Sequence, residues 1–196
     1  MHRVAGVVGL VGALAGIAFP AEATVFRAVA AEALGAQADA VVMARRPLGV
    51  DTREEMRFGR IVTEVRLEVA RVLAAGPRGQ DAGRGVSVVL PGGVVSGPRG
   101  PIAQHVAGTP EFVAGAWQVV FLRRLSDGRW TVLDLALGVY PLRQAPDGQW
   151  RVLPPRLAEV TLVDAQGRPA DPGSLGIPPE GLPWTDFVRR LPGARP

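Results

Sequence analysis

The clearest alternation of apolar and polar residues lies between Arg60 and Leu73. One face of this segment carries Ile61, Thr63, Val65, Leu67 and Val69, and the other carries Glu64, Arg66 and Glu68. A period of two predicts a half-buried β-strand. The alternation changes phase after Val69, which predicts a β-bulge or the end of the strand near Ala70. A long strand that bends in this way is typical of a curled antiparallel sheet or a barrel.

Shorter apolar runs, bounded by turn-forming residues, predict further strands. They cover residues 39–44, 86–90, 117–125, 130–140, 150–153 and 159–163. Ser126-Asp127-Gly128 and Pro146-Asp147-Gly148 have the composition of tight hairpin turns. Residues 47–57 are polar and predict a loop. Residues 91–115, rich in glycine and proline, predict a second and longer loop.

Two helices are predicted, one near each end of the strand-rich region. Residues 28–38 are small and compatible with a helix. Near the C-terminus, apolar residues at helical spacing follow a proline-rich stretch: Trp184, Phe187, Val188 and Leu191. We expect this apolar stripe to dock on the sheet or barrel, and the alternative is a helix that binds a partner.

The first 23 residues have the pattern of a cleavable signal peptide. His2 and Arg3 form a short basic start, and an uncharged apolar run follows over residues 4–19. Small residues flank Glu22, so cleavage is expected between Ala23 and Thr24. The alternative is an uncleaved anchor helix, but the run is shorter than the ~20 residues that span a bilayer. The chain is therefore predicted to be exported to the periplasm or beyond, without a stable membrane span after cleavage.

The remaining residues, 24–196, are predicted to form a single β-rich domain, on which the C-terminal segment 154–196 packs. The chain has 196 residues, of which 47% are hydrophobic and 20% charged, a globular composition. There is no cysteine, which excludes disulfides, thiolate catalysis and sulfur-dependent zinc sites. The net charge is +4, and arginines scattered among acidic residues predict no nucleic-acid partner.

Few residues offer catalytic chemistry. His105 is the single histidine left after cleavage, and Ser96 nearby lacks the flanking glycines of a nucleophile elbow. Glu64 and Glu68 lie on one strand face with Arg66 between them, which predicts a solvated, charge-paired face. Asp134 lies in an apolar strand and should point outward, pair with arginine or titrate abnormally, and the outward position is favoured. The sequence predicts neither a cofactor nor a metal site.

The long 91–115 loop offers the best candidates for binding. We expect a ligand to contact Gly92, Gly93, Gln104, His105 and Phe112, on a loop mounted at the rim of the barrel. The alternative is that the glycines and prolines only shape the loop.

Several segments, in order, resemble an uncharacterised family of small exported bacterial proteins, over most of residues 24–190. They are Ala38–Val42, Gly59–Val69, Leu90–Val95, Gln104–Phe112 and Val119–Leu122. Their arrangement also resembles netrin-like and tissue-metalloproteinase-inhibitor modules, which form a five-stranded OB-type barrel. Those modules use cysteines that this chain lacks, and Gly115-Ala116 replaces the Gly-Glu usual in the exported family. This resemblance implies an OB-like barrel of about five to seven strands.

These observations predict a non-enzymatic binding module with a protein or cell-envelope partner. The inhibitor resemblance implies an alternative, in which the α-amine of Thr24 approaches the metal of an exported metalloprotease. Without a cysteine, Thr24 is expected to be poorly held. A hydrolase that uses His105 is the third and least favoured hypothesis.

Overall fold

The fold is mainly β, as the sequence predicts. A computed structural model describes residues 24–49, 52–57, 59–83 and 85–194. Within these ranges the strands are β1 (Thr24–Arg27), β2 (Ala40–Arg45), β3 (Arg53–Arg57), β4 (Arg60–Ala75), β5 (Gly85–Pro91), β6 (Gly93–Gly97), β7 (Gly100–Gln104), β8 (Trp117–Arg124), β9 (Trp130–Val132), β10 (Val139–Gln144), β11 (Trp150–Val152), β12 (Val160–Val163) and β13 (Leu182–Pro183). The helices are α1 (Ala31–Gln37) and α2 (Trp184–Arg190), with 3-10 turns at Leu135–Gly138 and Pro172–Leu175.

Five strands close into an OB-like barrel. Around the ring they follow the order β2, β4, β5, β9 and β8, and β8 pairs with β2 to complete it. The pairing of β5 with β9 is parallel, through Val88 and Trp130, and the other four pairings are antiparallel. The closure leaves no free edge within the ring, which removes the main site at which a β-sheet aggregates.

The long strand β4 bends where its pattern changes phase. Along the β2–β4 ladder Met43 lies opposite Arg71, but the next residue, Ala44, lies opposite Val69. Ala70 therefore has no register partner, and the predicted bulge is confirmed. The strand does not end there: it continues to Ala75, with a second register shift between Val41 and Val42. The two irregularities allow one strand to curve around the barrel.

Two apolar cores share the pair β2 and β8. Side chains on one face fill the barrel interior, among them Val42, Val120 and Leu122. Side chains on the other face, including Val41 and Phe121, belong to a second core outside the barrel. Both strands are therefore buried on two faces, which explains why the apolar runs 40–44 and 119–122 do not alternate with polar residues.

The outer core is completed by the C-terminal part of the chain. Its remaining buried members come largely from β10, β11 and the residues after them, including Leu142, Val152, Leu162, Leu175, Ile177, Leu182, Phe187, Val188 and Leu191. The predicted docking of the C-terminal helix is confirmed, because Phe187 and Val188 of α2 are buried in this core. An ion pair between Arg190 and Glu32, with 3.6 Å between Nη1 and Oε1, also joins α2 to α1.

The prediction of one strand over residues 130–140 is wrong. Residues 130–132 pair with the C-terminal half of β8, and residues 139–141 pair with its N-terminal half on the same edge. The six residues between them leave the ladder, and Asp134 and Leu135 adopt left-handed backbone angles with φ of 53° and 51°. This excursion inserts Leu133 and Leu137 into the outer core. The burial of these two leucines explains why the strand is interrupted, although the strand propensity of the segment gives no sign of an interruption.

Two segments predicted as loops contain strands. β3 lies within 47–57 and pairs with β4 from Arg53 opposite Glu64 to Arg57 opposite Arg60. Its charged sequence lacks the alternating apolar pattern that predicts a strand, but charged residues are typical of a strand at an exposed edge. β6 and β7 form a hairpin within 91–115, closed by Pro98 and Arg99. Glycine and proline lower the strand propensity of this segment, so its sequence does not indicate strands. The pairing of β6 with β7 stabilises the hairpin despite this low propensity.

The two predicted hairpin turns are confirmed, and in each the aspartate organises the turn. The backbone N–H of Arg129 donates to Asp127 over 3.1 Å, and that of Gln149 donates to Asp147 over 2.9 Å. The side chain of Arg129 also donates to Asp127, and this hydrogen bond holds the pKa of the carboxyl below its usual value. Such aspartate turns join antiparallel strands with little loop length.

Residues 1–23, with the predicted signal peptide and Ala23, lie outside the described residues. Thr24, expected to be poorly held, instead begins β1, which pairs in parallel with β12 from Thr24 opposite Val160. Main-chain hydrogen bonds thus hold it without a disulfide. Among the described residues, no helix has both the length and the apolar character needed to cross a membrane.

Tyr140 supplies a test of the outer core. It is fully buried between the rings of Phe121 and Phe187, at centroid distances of 5.5 and 5.7 Å. Its hydroxyl has no hydrogen-bond partner. Burial, together with the negative charge of Glu32, raises the pKa of the hydroxyl well above its usual value.

We expect Tyr140→Phe to leave the free energy of unfolding unchanged at pH 7 or to raise it, by up to about 3 kcal/mol, because it removes an unsatisfied polar group. Above pH ~10 the unfolded chain loses the tyrosine proton and the folded chain keeps it, so the wild type should lose stability as the pH rises. The chain has one tyrosine, so the variant should lose less. Urea unfolding at pH 7 and pH 11 measures both effects, and parallel losses in the two proteins would contradict the account.

Candidate functional site

The five residues predicted to bind a ligand come together around one open pocket. This rim pocket has a volume of about 540 Å³, and its lining includes Gly92, Gly93, Gln104, His105 and Phe112. The connection between β2 and β3 adds Arg46 and Thr52 to the lining, and β3 adds Glu54. The barrel wall supplies Thr63, Val65 and Leu90. Residues from both ends of this long connection thus share one surface with the barrel wall, because the β6–β7 hairpin folds back on β4.

The two glycines are required by close backbone approach. A Cβ at Gly92, where φ is 91°, would lie 2.7 Å from the carbonyl oxygen of Gln104. A Cβ at Gly93, where φ is 135°, would lie 2.5 Å from the hydroxyl of Thr63. These conformations are open to glycine and strained for other residues. The glycines therefore shape the pocket wall, as the alternative interpretation of the loop holds.

Gln104 serves as a clamp between the hairpin and the barrel. Its Oε1 accepts a hydrogen bond from the backbone N–H of Ile61 over 2.8 Å. The carbonyl of Ile61 accepts from the N–H of Gly92, also over 2.8 Å, so both main-chain polar groups of Ile61 are bonded to the 91–115 segment. Ile61 is buried, and water does not readily replace the glutamine oxygen. The side chain is committed to the fold rather than free for a ligand.

This role predicts that Gln104→Ala lowers the free energy of unfolding by about 1–3 kcal/mol, because it leaves a buried N–H without an acceptor. Gln149→Ala, at an exposed turn position, is the matched control and should change stability by less than about 0.5 kcal/mol. Urea denaturation followed by tryptophan fluorescence measures both. Equal stability of the two variants would show that Gln104 does not act as a clamp.

His105 and Phe112 occupy contrasting places. The imidazole of His105 is largely exposed, and its Nε2 lies 2.6 Å from Oε2 of Glu159, which is also exposed. An ion pair in water contributes about 0–1 kcal/mol, so this contact is no strong structural element. Phe112 is buried with the residues that fill the barrel interior and closes that end of the barrel. Of the five predicted residues, His105 is the one whose side chain is most available to a ligand.

Most of the exposed large apolar side chains belong to the two connections that contribute to the rim pocket. Seven large apolar side chains are exposed in the described chain, and five of them form what we call the apolar rim: Leu48, Met56, Val94, Ile102 and Val113. All five belong to two connections, residues 46–59 and 92–116. Sequence reasoning missed this surface because β3 and the β6–β7 hairpin were predicted as loops, in which no side chain has a defined direction.

A second cavity, of about 220 Å³, adjoins the rim pocket. The segment from His105 to Glu111 contributes to the lining of both. The other side of this cavity is built by β8, β10, the 3-10 turn before β10, and residues 156–159, through Gln118, Ala136, Val139, Pro141, Arg156, Ala158 and Glu159. We call it the Gln118 cavity.

Gln118 is the one buried polar residue in the described part of the chain, at 4% exposure. Its Nε2 donates to the carbonyl of Glu111 over 3.4 Å, and its Oε1 is buried without a partner. A buried acceptor without a donor costs about 1–3 kcal/mol. The sequence holds a signal for this residue, which is a single amide within the apolar run 117–122. Asp134 was considered because it is a polar residue in an apolar run, and Gln118 meets the same criterion.

The other candidate residues lie on the surface. Asp134 is exposed, in agreement with the favoured outward position. Glu68 pairs with Arg45, with 3.0 Å between Oε2 and Nε, as expected for a charge-paired face. The hydroxyl of Thr109, beside His105, donates to the main-chain carbonyl of Val106 over 2.8 Å. Within the described ranges, no group of three or more histidine, aspartate or glutamate side chains has the geometry to hold a metal ion.

Comparisons with models of known protein families, with curated proteins and with solved structures find no match. The resemblances to the exported bacterial family and to netrin-like modules therefore stay predictions. The OB-like barrel rests on the strand pairing itself, and the candidate site rests on the geometry of the rim pocket, the apolar rim and the Gln118 cavity.

Proposed function

We propose that this chain is a non-enzymatic binding module, which contacts a partner protein through the apolar rim. The predicted signal peptide would take the chain out of the cytoplasm, so the proposed partner is a protein of the cell envelope or of the space outside it. The observation that carries the proposal is the concentration of five of the seven exposed large apolar side chains in two neighbouring connections. Exposed apolar groups that cluster in this way mark interaction sites.

The two connections form one surface because they contact each other. The N–H of Gly115 donates to the carbonyl of Arg46 over 2.8 Å, and Arg46 forms a β-bridge with Ala114. At the other end Met56, Val94 and Ile102 line a common cleft. Glu54 lines both this cleft and the rim pocket. This cleft therefore adjoins the rim pocket, whose lining includes the polar side chains of Arg46, Glu54 and His105.

Paired strands present most of these side chains. β6 pairs with β7 over five residue pairs, and β3 pairs with β4 over another five. A surface that is ordered before binding loses less conformational entropy when a partner arrives. Its mixture of apolar side chains with Arg46, Glu54 and His105 also matches the composition of interfaces that form and dissociate. These features favour a protein partner with apolar side chains of its own.

Binding is favoured over catalysis by the way in which the polar side chains are used. Gln104 accepts a hydrogen bond from a main-chain N–H, and the hydroxyl of Thr109 donates one to a main-chain carbonyl. The imidazole of His105 lies against a carboxylate. A hydrolase needs a nucleophile within reach of its base, whereas the imidazole of His105 is paired with the carboxylate of Glu159.

The test places a photo-crosslinking amino acid at Ile102 and, as the matched control, at Val72, an exposed position on β4. A protein crosslinked from Ile102 and not from Val72 is then purified and titrated with the wild-type chain by calorimetry. We expect Ile102→Asp to weaken this binding at least tenfold, by placing a charge in the apolar contact.

Val72→Asp introduces the same charge at a site outside the apolar rim, with 38% exposure against 45% for Ile102, and should alter the Kd less than twofold. Circular dichroism and urea unfolding establish that both variants are folded. Equal weakening by the two substitutions, or equal crosslinking from the two positions, would overturn the assignment of the apolar rim as the contact surface.

A further inference from the structure

The Gln118 cavity has the properties of a binding site for a small molecule. It lies at the end of the barrel interior, because Gln118 takes the next position on the face of β8 that carries Val120 and Leu122. Most of its wall is apolar, from Val106, Pro110, Ala136, Val139, Pro141 and Ala158. The Gln118 amide is the buried polar group in this wall.

The neighbouring main chain settles the orientation of the amide. Nε2 faces the carbonyl oxygen of Glu111 at 3.4 Å. Exchange of the amide nitrogen and oxygen would set two acceptors against each other, so the oxygen must lie on the far side. This oxygen is buried and has no donor. Gln118 lines the cavity, so a donor seated there would reach this oxygen once the amide rotates, and the long hydrogen bond to Glu111 opposes that rotation only weakly.

The size of the cavity limits what it holds. An apolar cavity of about 150 Å³ accommodates benzene. At about 220 Å³, the Gln118 cavity has space for a single substituted ring or an aliphatic molecule of similar size. It is too small for a folded segment of a protein. An occupant of this size would lie mainly against apolar wall, and the unsatisfied oxygen of Gln118 would be within its reach after rotation of the amide.

The charges around the cavity oppose a charged occupant. Its lining includes the exposed side chains of Glu111, Arg156 and Glu159 with the imidazole of His105, so that both signs are present at the surface. Among the residues that line the cavity, the charged side chains are exposed, and the buried polar side chain is the neutral amide of Gln118. Transfer of a charge into such a wall is strongly unfavourable, whereas a neutral donor loses little.

We propose that the Gln118 cavity binds a small uncharged molecule of about one ring, whose apolar body carries an N–H or O–H donor to Gln118. Phenols and indoles are representative of this class. The cavity lies beside the apolar rim and not within it, so this inference does not depend on the proposed partner protein. It would stand if the rim bound nothing, and the rim could bind a protein if the cavity stayed empty.

The test compares phenol with toluene, which has the same ring and no hydrogen-bond donor. Both are titrated into residues 24–196, and chemical shifts of backbone amides are followed by NMR. We expect the two ligands to perturb residues 105–111 and 136–141, with phenol bound about tenfold more tightly. In Gln118→Leu, which keeps the side-chain size and removes the acceptor, this preference should fall to less than threefold.

A second variant serves if Gln118→Leu does not fold. Ala158→Phe fills the cavity from its exposed wall, and it should weaken both ligands at least tenfold. Ala75→Phe, at an exposed position at the end of β4, is the matched control and should leave both affinities unchanged. Absence of saturable binding to the wild type, an unchanged preference for phenol in Gln118→Leu, or equal effects of the two phenylalanines would overturn the proposal.

Discussion

The structure depends on the pairing of β2 with β8, two adjacent strands that are buried on both faces. Six register pairs join them, from Ala40 opposite Leu122 to Arg45 opposite Trp117. On one side they form part of the wall of the barrel, and on the other they form the floor of the outer core. Each core therefore restrains the other, because a shift of either strand would disturb both sets of contacts. This double burial explains how a chain without disulfides holds a long, irregular C-terminal segment in place.

The edge of β8 that faces away from β2 also determines the course of the chain. The chain passes along this edge as β9 and again as β10, with residues 133–138 looped out between them. β9 turns to meet β5 and closes the barrel, whereas β10 leads to β11 and β13 in the outer layer. The left-handed backbone of Asp134 and Leu135 is the strained point at which the two courses separate. Burial of Leu133 and Leu137 offsets that strain.

The same geometry determines where ligands could meet the protein. The connections 46–59 and 92–116 both leave the barrel near one end, and their pairing produces the rim pocket and the apolar rim. Gln118 lies on β8, at the boundary between the filled barrel interior and the smaller cavity. It is the polar residue in the apolar run 117–122 of this strand, and such departures from local rules tend to mark functional sites.

The amino-acid pattern alone was sufficient for the mainly β class, the bulge at Ala70, the two aspartate turns and the buried face of α2, because each depends on near neighbours in the chain. The five loop residues that it singled out all line the rim pocket, along with residues from other segments, since glycines and a histidine in a long connection stand out by type. It could not supply β3, the β6–β7 hairpin or the break at residues 133–138. Strand pairing and leucine burial decide these elements through contacts between distant residues, against the local propensity. The roles of Gln104 and Gln118 likewise belong to the tertiary structure, because a glutamine becomes a clamp or an unsatisfied acceptor only through the groups that the fold places around it.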